Sequence, residues 1–344
     1  MVTDILDMAT LMRRETLETP ERIAEMLTRN AGSYAALGAR LRASPPPVVV
    51  TCARGSSDHA ATYGKYLIET LVGVPVASAA PSVASVFDAD VSAARALVLA
   101  VSQSGRSPDL LASVGAYAGS GALVAALVND ETSPLAERVD VALPLAAGPE
   151  TSVAATKSCI AAMVGLAAIT AAWSEDAILA DALAALPQAL DRAVNADWSA
   201  AIEPLRDVSQ MFVIGRGYGF GIAQECALKF KETCAIQAEP FSAAEVRHGP
   251  MAIVRDGFPV LALATSDSAG DDVELVASEF AGRGASVLLA HAGKAGLLPA
   301  EAAHPAIEPI LMLASFYGLV EQLARARGRN PDQPPFLSKV TRTL

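Results

Sequence analysis

The chain contains itself twice, and that repeat limits its fold more than any other feature. Val48-Val-Val-Thr-Cys-Ala-Arg-Gly55 is an apolar run that ends in Arg-Gly and leads into a helical stretch to about Glu69. Met211-Phe-Val-Ile-Gly-Arg-Gly217 has the same form, with a helical stretch through Glu232 behind it. Gly55 and Gly217 lie 162 residues apart. The same offset carries Ser104, behind Leu97-Val-Leu-Ala-Val-Ser102, onto Ser266, behind Val260-Leu-Ala-Leu-Ala264. A third apolar run follows in each half, over 122–128 and 285–290.

Each half therefore reads strand–helix–strand–helix–strand. Short, continuously apolar strands are buried on both faces, which implies a parallel sheet between layers of helices. The prediction is an α/β chain of two tandem doubly wound, flavodoxin-like domains, residues 30–172 and 195–328. A helical N-terminal arm (1–28), a linker around Pro187 to Trp198 and an irregular Pro-rich tail (331–344) lie outside the repeat. A composition that is 52% hydrophobic but poor in aromatics suits Ala-rich helices packed closely on such sheets. Ligands of these sheets bind beyond the carboxyl ends of the strands. Both Arg-Gly turns and the loop at Ser102–Ser107 fall there.

Ser102-Gln-Ser-Gly-Arg-Ser107 offers three hydroxyls and exposed backbone N–H groups, and Pro108 then opens a helix at its favoured first-turn position. With the positive end of that helix they form an anion cradle, to which Arg106 would add a formal charge. A serine-rich turn that only caps the helix is the plainer alternative. The equivalent loop, Thr265-Ser-Asp267, is followed by Asp271, Asp272 and Glu274, whose charges would repel a phosphate. Phosphate binding is thus expected in the first half alone. Thr151, Ser152 and Thr156 either complete the cradle or cap the apolar helix that follows. Gly55 permits close backbone approach, and Ser56 and Ser57 present hydroxyls suited to sugar oxygens.

The net charge of −11 disfavours nucleic acid or an acidic membrane surface as a partner. Cys52, Cys159, Cys226 and Cys234 form no Cys-x-x-Cys pair and read as reduced, buried small hydrophobes. No His/Cys/Asp spacing resembles a metal site, and no metal or cofactor is expected. His59, His291 and His304 read as structural. The uncharged stretch Ser158–Ser174 is short for a membrane span and reads as a core helix. The first residues include acids and lack an apolar signal core, so a cytoplasmic location is expected.

Three separated acid–base groups complete the inventory: Glu232, His248 and Lys339. A carboxylate, an imidazole and an amine suffice to open a sugar ring and move a proton between neighbouring carbons. Taken singly, Glu232 is as readily a helix-surface residue, and Lys339 a solvated tail lysine.

The combination is more specific. Met12-Arg-Arg-Glu15, Glu18-Thr-Pro20, Ser102-Gln-Ser-Gly105, Glu150, Val153-Ala154 and Thr156-Lys157 recur in order with Ala227-Leu-Lys229, Lys231-Glu232, Ala238-Glu239, Glu245, His248-Gly-Pro250, Asp332-Gln-Pro334 and Lys339. Over nearly its whole length the chain resembles the SIS (sugar isomerase) family, in particular the two-domain isomerase half of glucosamine-6-phosphate synthase. The resemblance implies phosphate-binding roles for Ser102, Gln103, Ser104 and Ser107, and substrate contacts for Ser56, Ser57 and Val153. It implies that Glu232 shuttles a proton between C1 and C2, that His248 opens the ring from the neighbouring subunit, and that Lys339 meets the open-chain carbonyl. A homodimer is implied with it.

The departures point elsewhere than the synthase. Residue 2 is Val where a glutaminase would begin with its nucleophilic cysteine, Arg106 stands in place of an acid, and Ser107 in place of a threonine. These resemble stand-alone SIS enzymes that release ammonia from an aminosugar phosphate. The expected reaction is glucosamine 6-phosphate and water to fructose 6-phosphate and ammonia. A ketose–aldose isomerase or fructosamine-phosphate deglycase using the same site is the alternative, and a non-catalytic sugar-phosphate sensor a second one.

Overall fold

Ten strands in two separate sheets organise the chain, in a computed structural model that describes residues 9–339. The expected arm residues 1–8 and tail residues 340–344 lie outside them. The first sheet uses β1 (Val49–Cys52), β2 (Val76–Ser78), β3 (Leu97–Ser102), β4 (Leu123–Val128) and β5 (Val141–Pro144). The second uses β6 (Gln210–Gly215), β7 (Gln237–Ser242), β8 (Pro259–Ala264), β9 (Ser286–Ala292) and β10 (Leu298–Ala300).

Their orders are β2-β1-β3-β4-β5 and β10-β9-β8-β6-β7. Counted within its own half and from the opposite edge, the second order is the same as the first. All pairs are parallel, as in Val49↔Leu97 and Phe212↔Val260. The repeat is therefore a repeat of topology, and both sheets are doubly wound, with helices on both faces. In each, strand order reverses beside the first strand of the half, between β1 and β3 and between β6 and β8.

The apolar runs explain the pairing. β3 and the last five residues of β4 are buried, and Val98, Ala100, Val124 and Ala126 pack with Leu110 and Val114 of the helix Pro108–Gly119. In the second sheet Phe212, Val260 and Ala262 pack with Val273, Val276 and Phe280 of the helix Ser268–Gly282. Phe212 meets Phe241 and Phe258 edge-on, each at 4.9 Å between ring centres, a favoured aromatic geometry.

The chain divides into two compact units. The first-sheet unit comprises Glu21–Pro149 and Ala161–Ala184, with the described part of Ser338–Leu344. The second-sheet unit comprises the described part of Met1–Pro20, Glu150–Ile160 and Ala185–Leu337. The helix Thr19–Ala43 runs unbroken past residue 28, because Tyr34, Leu37 and Leu41 continue the buried stripe begun by Ile23 and Met26. The stretch expected as a linker from Pro187 is largely helical, Pro187 lying inside the helix Ala177–Ala193. The helix Lys157–Ser174 is long and apolar enough to cross a membrane but is 89% buried within the protein. All four cysteines are buried and none is in a disulfide.

Candidate active site

In the first-sheet unit, β3 delivers the chain into Ser102–Ser107. Ser102 Oγ accepts the Gly105 N–H at 3.0 Å, and Ser104 Oγ accepts the Arg106 N–H at 3.4 Å. Gly105 has φ +62°, and a Cβ there would lie 2.2 Å from Ser133 Oγ. Only glycine fits this bend. Ser107 caps the helix Pro108–Gly119 without spending its hydroxyl on a cap bond. Among the described residues, the N–H groups of Gln103, Ser104 and Ser107 meet no protein acceptor. Converging amides and hydroxyls at a helix N-terminus suit a phosphate.

Arg106 does not add the expected free charge. Its Nε and Nη2 donate to Asp130 Oδ2 at 3.0 and 2.8 Å, since Asp130 follows the neighbouring strand β4. Hydrogen bonding by the Thr132 hydroxyl and by Arg106 holds the Asp130 carboxyl below its ordinary range. Arg54 is likewise committed to the buried Asp109, at 2.9 and 2.6 Å. Both arginines beside this loop are thus paired with carboxylates.

Ser56 and Ser57 begin the helix Ser56–Leu71 immediately after β1, and both are half-buried. Gly55 has φ +54° with open space where a Cβ would be, so glycine serves the backbone turn rather than clearance. Two loops at the carboxyl ends of neighbouring strands thus carry Ser56, Ser57, Ser102, Gln103, Ser104 and Ser107. They flank the point where strand order reverses.

In the second-sheet unit, the helix Phe220–Lys229 widens into a π-helical turn over Phe230–Cys234, which Ala235 ends in the left-handed conformation at φ 50°. π-Turns are often found at functional sites. Glu232 lies in this turn, 21% exposed, and its Oε2 accepts from Lys229 Nζ at 2.7 Å. The same ammonium lies 3.1 Å from Glu225 Oε1, and Lys229 and Glu225 are each 1% exposed. Tyr317 donates its hydroxyl to Glu225 at 3.2 Å. Burial alone would lower the Lys229 pKa, but the facing Glu225 and Glu232 carboxylates outweigh it and hold the ammonium above its ordinary range. A buried ammonium thus fixes the position of a carboxylate that solvent can still reach. Glu225, Lys229 and Tyr317 were not singled out from sequence for this role. The available signal was the spacing Glu225, Lys229, Glu232, which places all three on one helical face.

His248 ends the 3₁₀ turn Glu245–His248, is exposed, and has no protein partner among the described residues. No hydrogen bond joins it to Glu232. Val153 is half-buried and donates its N–H to the Asp332 carbonyl at 3.2 Å. Thr156 is fully buried; Glu150 Oε1 accepts its N–H at 3.0 Å, and its own hydroxyl has no hydrogen-bond partner among the described residues. Glu150 also accepts from Ser158 N–H and Oγ, at 3.1 and 2.7 Å, so a carboxylate caps the following helix. Lys339 is half-buried at the end of the described residues.

The loop matching Ser102–Ser107 in the second sheet is filled by the protein itself. Asp267 Oδ1 accepts the Gly270 N–H at 3.2 Å and the Thr265 hydroxyl at 2.6 Å. Fully buried Glu308 accepts the Ser266 N–H at 2.7 Å. Asp272 and Glu274 are turned to Arg216 and Lys294.

A SIS domain family model matches residues 46–172 and again 204–326. The chain belongs to the SIS domain family. Its SIS fold superposes on the crystal structure of a protein described as "putative phosphosugar isomerase" from Silicibacter pomeroyi DSS-3, with TM-score 0.89 and 43% identity over 94% of this chain and all of the other. The glucosamine-6-phosphate deaminase of Thermotoga maritima shares the fold, with TM-score 0.79 at 22% identity over 97% of this chain and 100% of that one. The glutamine–fructose-6-phosphate aminotransferase (isomerizing) of Aeropyrum pernix is 34% identical over 351 residues, 96% of this SIS chain and 56% of the relative. The chain spans about half the length of the curated relatives it matches.

Proposed function

We propose that this SIS chain is a phosphosugar isomerase acting as an aminosugar-phosphate deaminase. Glucosamine 6-phosphate and water would give fructose 6-phosphate and ammonia. The observation that carries the proposal is Glu232, a solvent-reachable carboxylate set in a π-helical turn and fixed by a buried lysine. Amides and hydroxyls at Ser102–Ser107 support a phosphate-bearing substrate.

In this scheme the phosphate is held by Ser102, Gln103, Ser104 and Ser107, and the sugar meets Ser56, Ser57 and Val153; Thr156 is fully buried and presents no surface to it. His248 moves the proton that opens the ring, the natural task of an imidazole near neutrality. Glu232 takes the C2 proton and returns it to C1, leaving an imine at C2. Water adds to C2 and ammonia leaves. Lys339 engages the open-chain carbonyl. The working form would be a homodimer, in which His248, exposed and without a partner among the described residues, serves the neighbouring subunit.

Ketose–aldose isomerisation needs the same C1–C2 proton transfer and differs only in the group at C2. The buried Glu225–Lys229 pair behind Glu232 favours either enzyme over a sensor, which has no use for a fixed base. Incubation with glucosamine 6-phosphate is expected to release ammonia and fructose 6-phosphate in equal amounts. Glu232→Gln should lower turnover by about 10³-fold while leaving substrate binding intact. Undiminished turnover in that variant would remove Glu232 as the base.

A further inference from the structure

The helix Leu11–Leu17 begins with amides that no preceding turn satisfies. Asp332, far along the chain, supplies the acceptors: Oδ2 takes the Leu11 N–H and Oδ1 the Met12 N–H, each at 2.8 Å. The carbonyl of the same residue accepts the Val153 N–H at 3.2 Å. One turn into the helix, Glu15 is 4% exposed. Its Oε1 accepts the Thr151 N–H, the Thr151 hydroxyl at 3.0 Å and the Ser152 N–H at 3.2 Å. Thr10, the N-cap, donates its hydroxyl to Glu321 at 3.0 Å and ties the helix start to the helix Glu308–Ala326.

Residues 151–153 are thus fastened to one short helix twice, directly through Glu15 and indirectly through Asp332. Asp332 also anchors the chain shortly before Lys339. We propose that Glu15 and Asp332 are positioning residues, which together set the conformation of the Val153 loop and start the Lys339 tail from the same point. Neither touches the reacting atoms; both act through residues that would contact the substrate. This inference rests on the substrate-contacting roles of Val153 and Lys339 proposed above.

The experiment pairs two readouts on the full chain: hydrogen exchange over peptides covering residues 11–17 and 150–156, and KM and kcat for glucosamine 6-phosphate. Asp332→Ala removes the carboxylate but keeps the carbonyl that meets Val153. Exchange should rise about tenfold in both peptides, with KM up by about tenfold and kcat reduced. Glu15→Ala should do the same at 150–156. Asp332→Asn retains one of the two accepting oxygens and should recover part of both effects. Faster exchange confined to residues 11–17, with KM and kcat as in the wild type, would reduce Asp332 to a helix cap and overturn the proposal. If the wild-type protein turns over no phosphosugar, the exchange measurement still decides the coupling. Its failure is then distinguishable from failure of the proposed reaction.

Discussion

The two halves share strand order yet finish the equivalent loop in opposite ways. After β8, Glu308 occupies the Ser266 amide and Asp267 the Gly270 amide, so the protein provides its own anion. After β3, the amides of Gln103, Ser104 and Ser107 have no protein acceptor among the described residues, and glycine at 105 keeps the bend tight. A doubly wound sheet offers an anion socket wherever a strand end meets a helix N-terminus. The two halves differ in whether an internal carboxylate already fills the socket.

The contrast can be attacked at three strengths. Gly105→Ala forces a Cβ against Ser133 at a left-handed φ, and should cost about 3 kcal/mol of stability. Phosphosugar affinity should fall by about 100-fold or more, measured by calorimetric titration below the unfolding range. Wild-type affinity in that variant would deny the first loop its role. Next, Glu308→Ala strips the acceptor from Ser266 and from the Ala303 N–H, and should cost about 2 kcal/mol. Its phosphosugar affinity should stay at the wild-type level, while inorganic phosphate should raise its Tm more than that of the wild type. Loss of phosphosugar affinity there would erase the difference between the halves. The smallest effect belongs to the matched serines. Ser104→Ala should weaken phosphosugar binding by about tenfold, and Ser266→Ala not at all.

Sequence carried the inner strands and the repeat but missed four of the ten strands. Those four are β2, β5, β7 and β10, and they are the sheet edges. A central strand is buried on both faces and announces itself as an unbroken apolar run. β2 (Val-Ala-Ser) and β10 (Leu-Pro-Ala) are three residues each and bury only the first, so that signal is absent. Pro187 misled for a related reason: it marks a helix end only where the helix lacks burial to hold it, and Leu183, Leu186 and Leu190 supply that burial. At the candidate site, the place of Ser102–Ser107 between a strand end and a helix was legible from the apolar run before it and Pro108 after it. The clasp around Glu232 was not, because a π-helical turn has no compositional mark and Lys229 reads as a solvated helix residue. Arg106 was misjudged for want of its partner, since nothing along the chain brings Asp130 beside it.

The bond from Asp332 to Leu11 closes a loop of 321 residues. Loop-closure entropy grows only slowly with length, so this closure costs little more than one of half the length would. Its timing is another matter, because a chain leaves the ribosome from its N-terminus and domains fold as they emerge. All five strands of the first sheet, with the helices that cover them, are available once Ala184 has been made. The helix Leu11–Leu17 is synthesised earlier still, but Asp332, whose carboxylate accepts its first amides, comes 321 residues after Leu11. That helix can therefore receive its cap only after every strand of both sheets has been made.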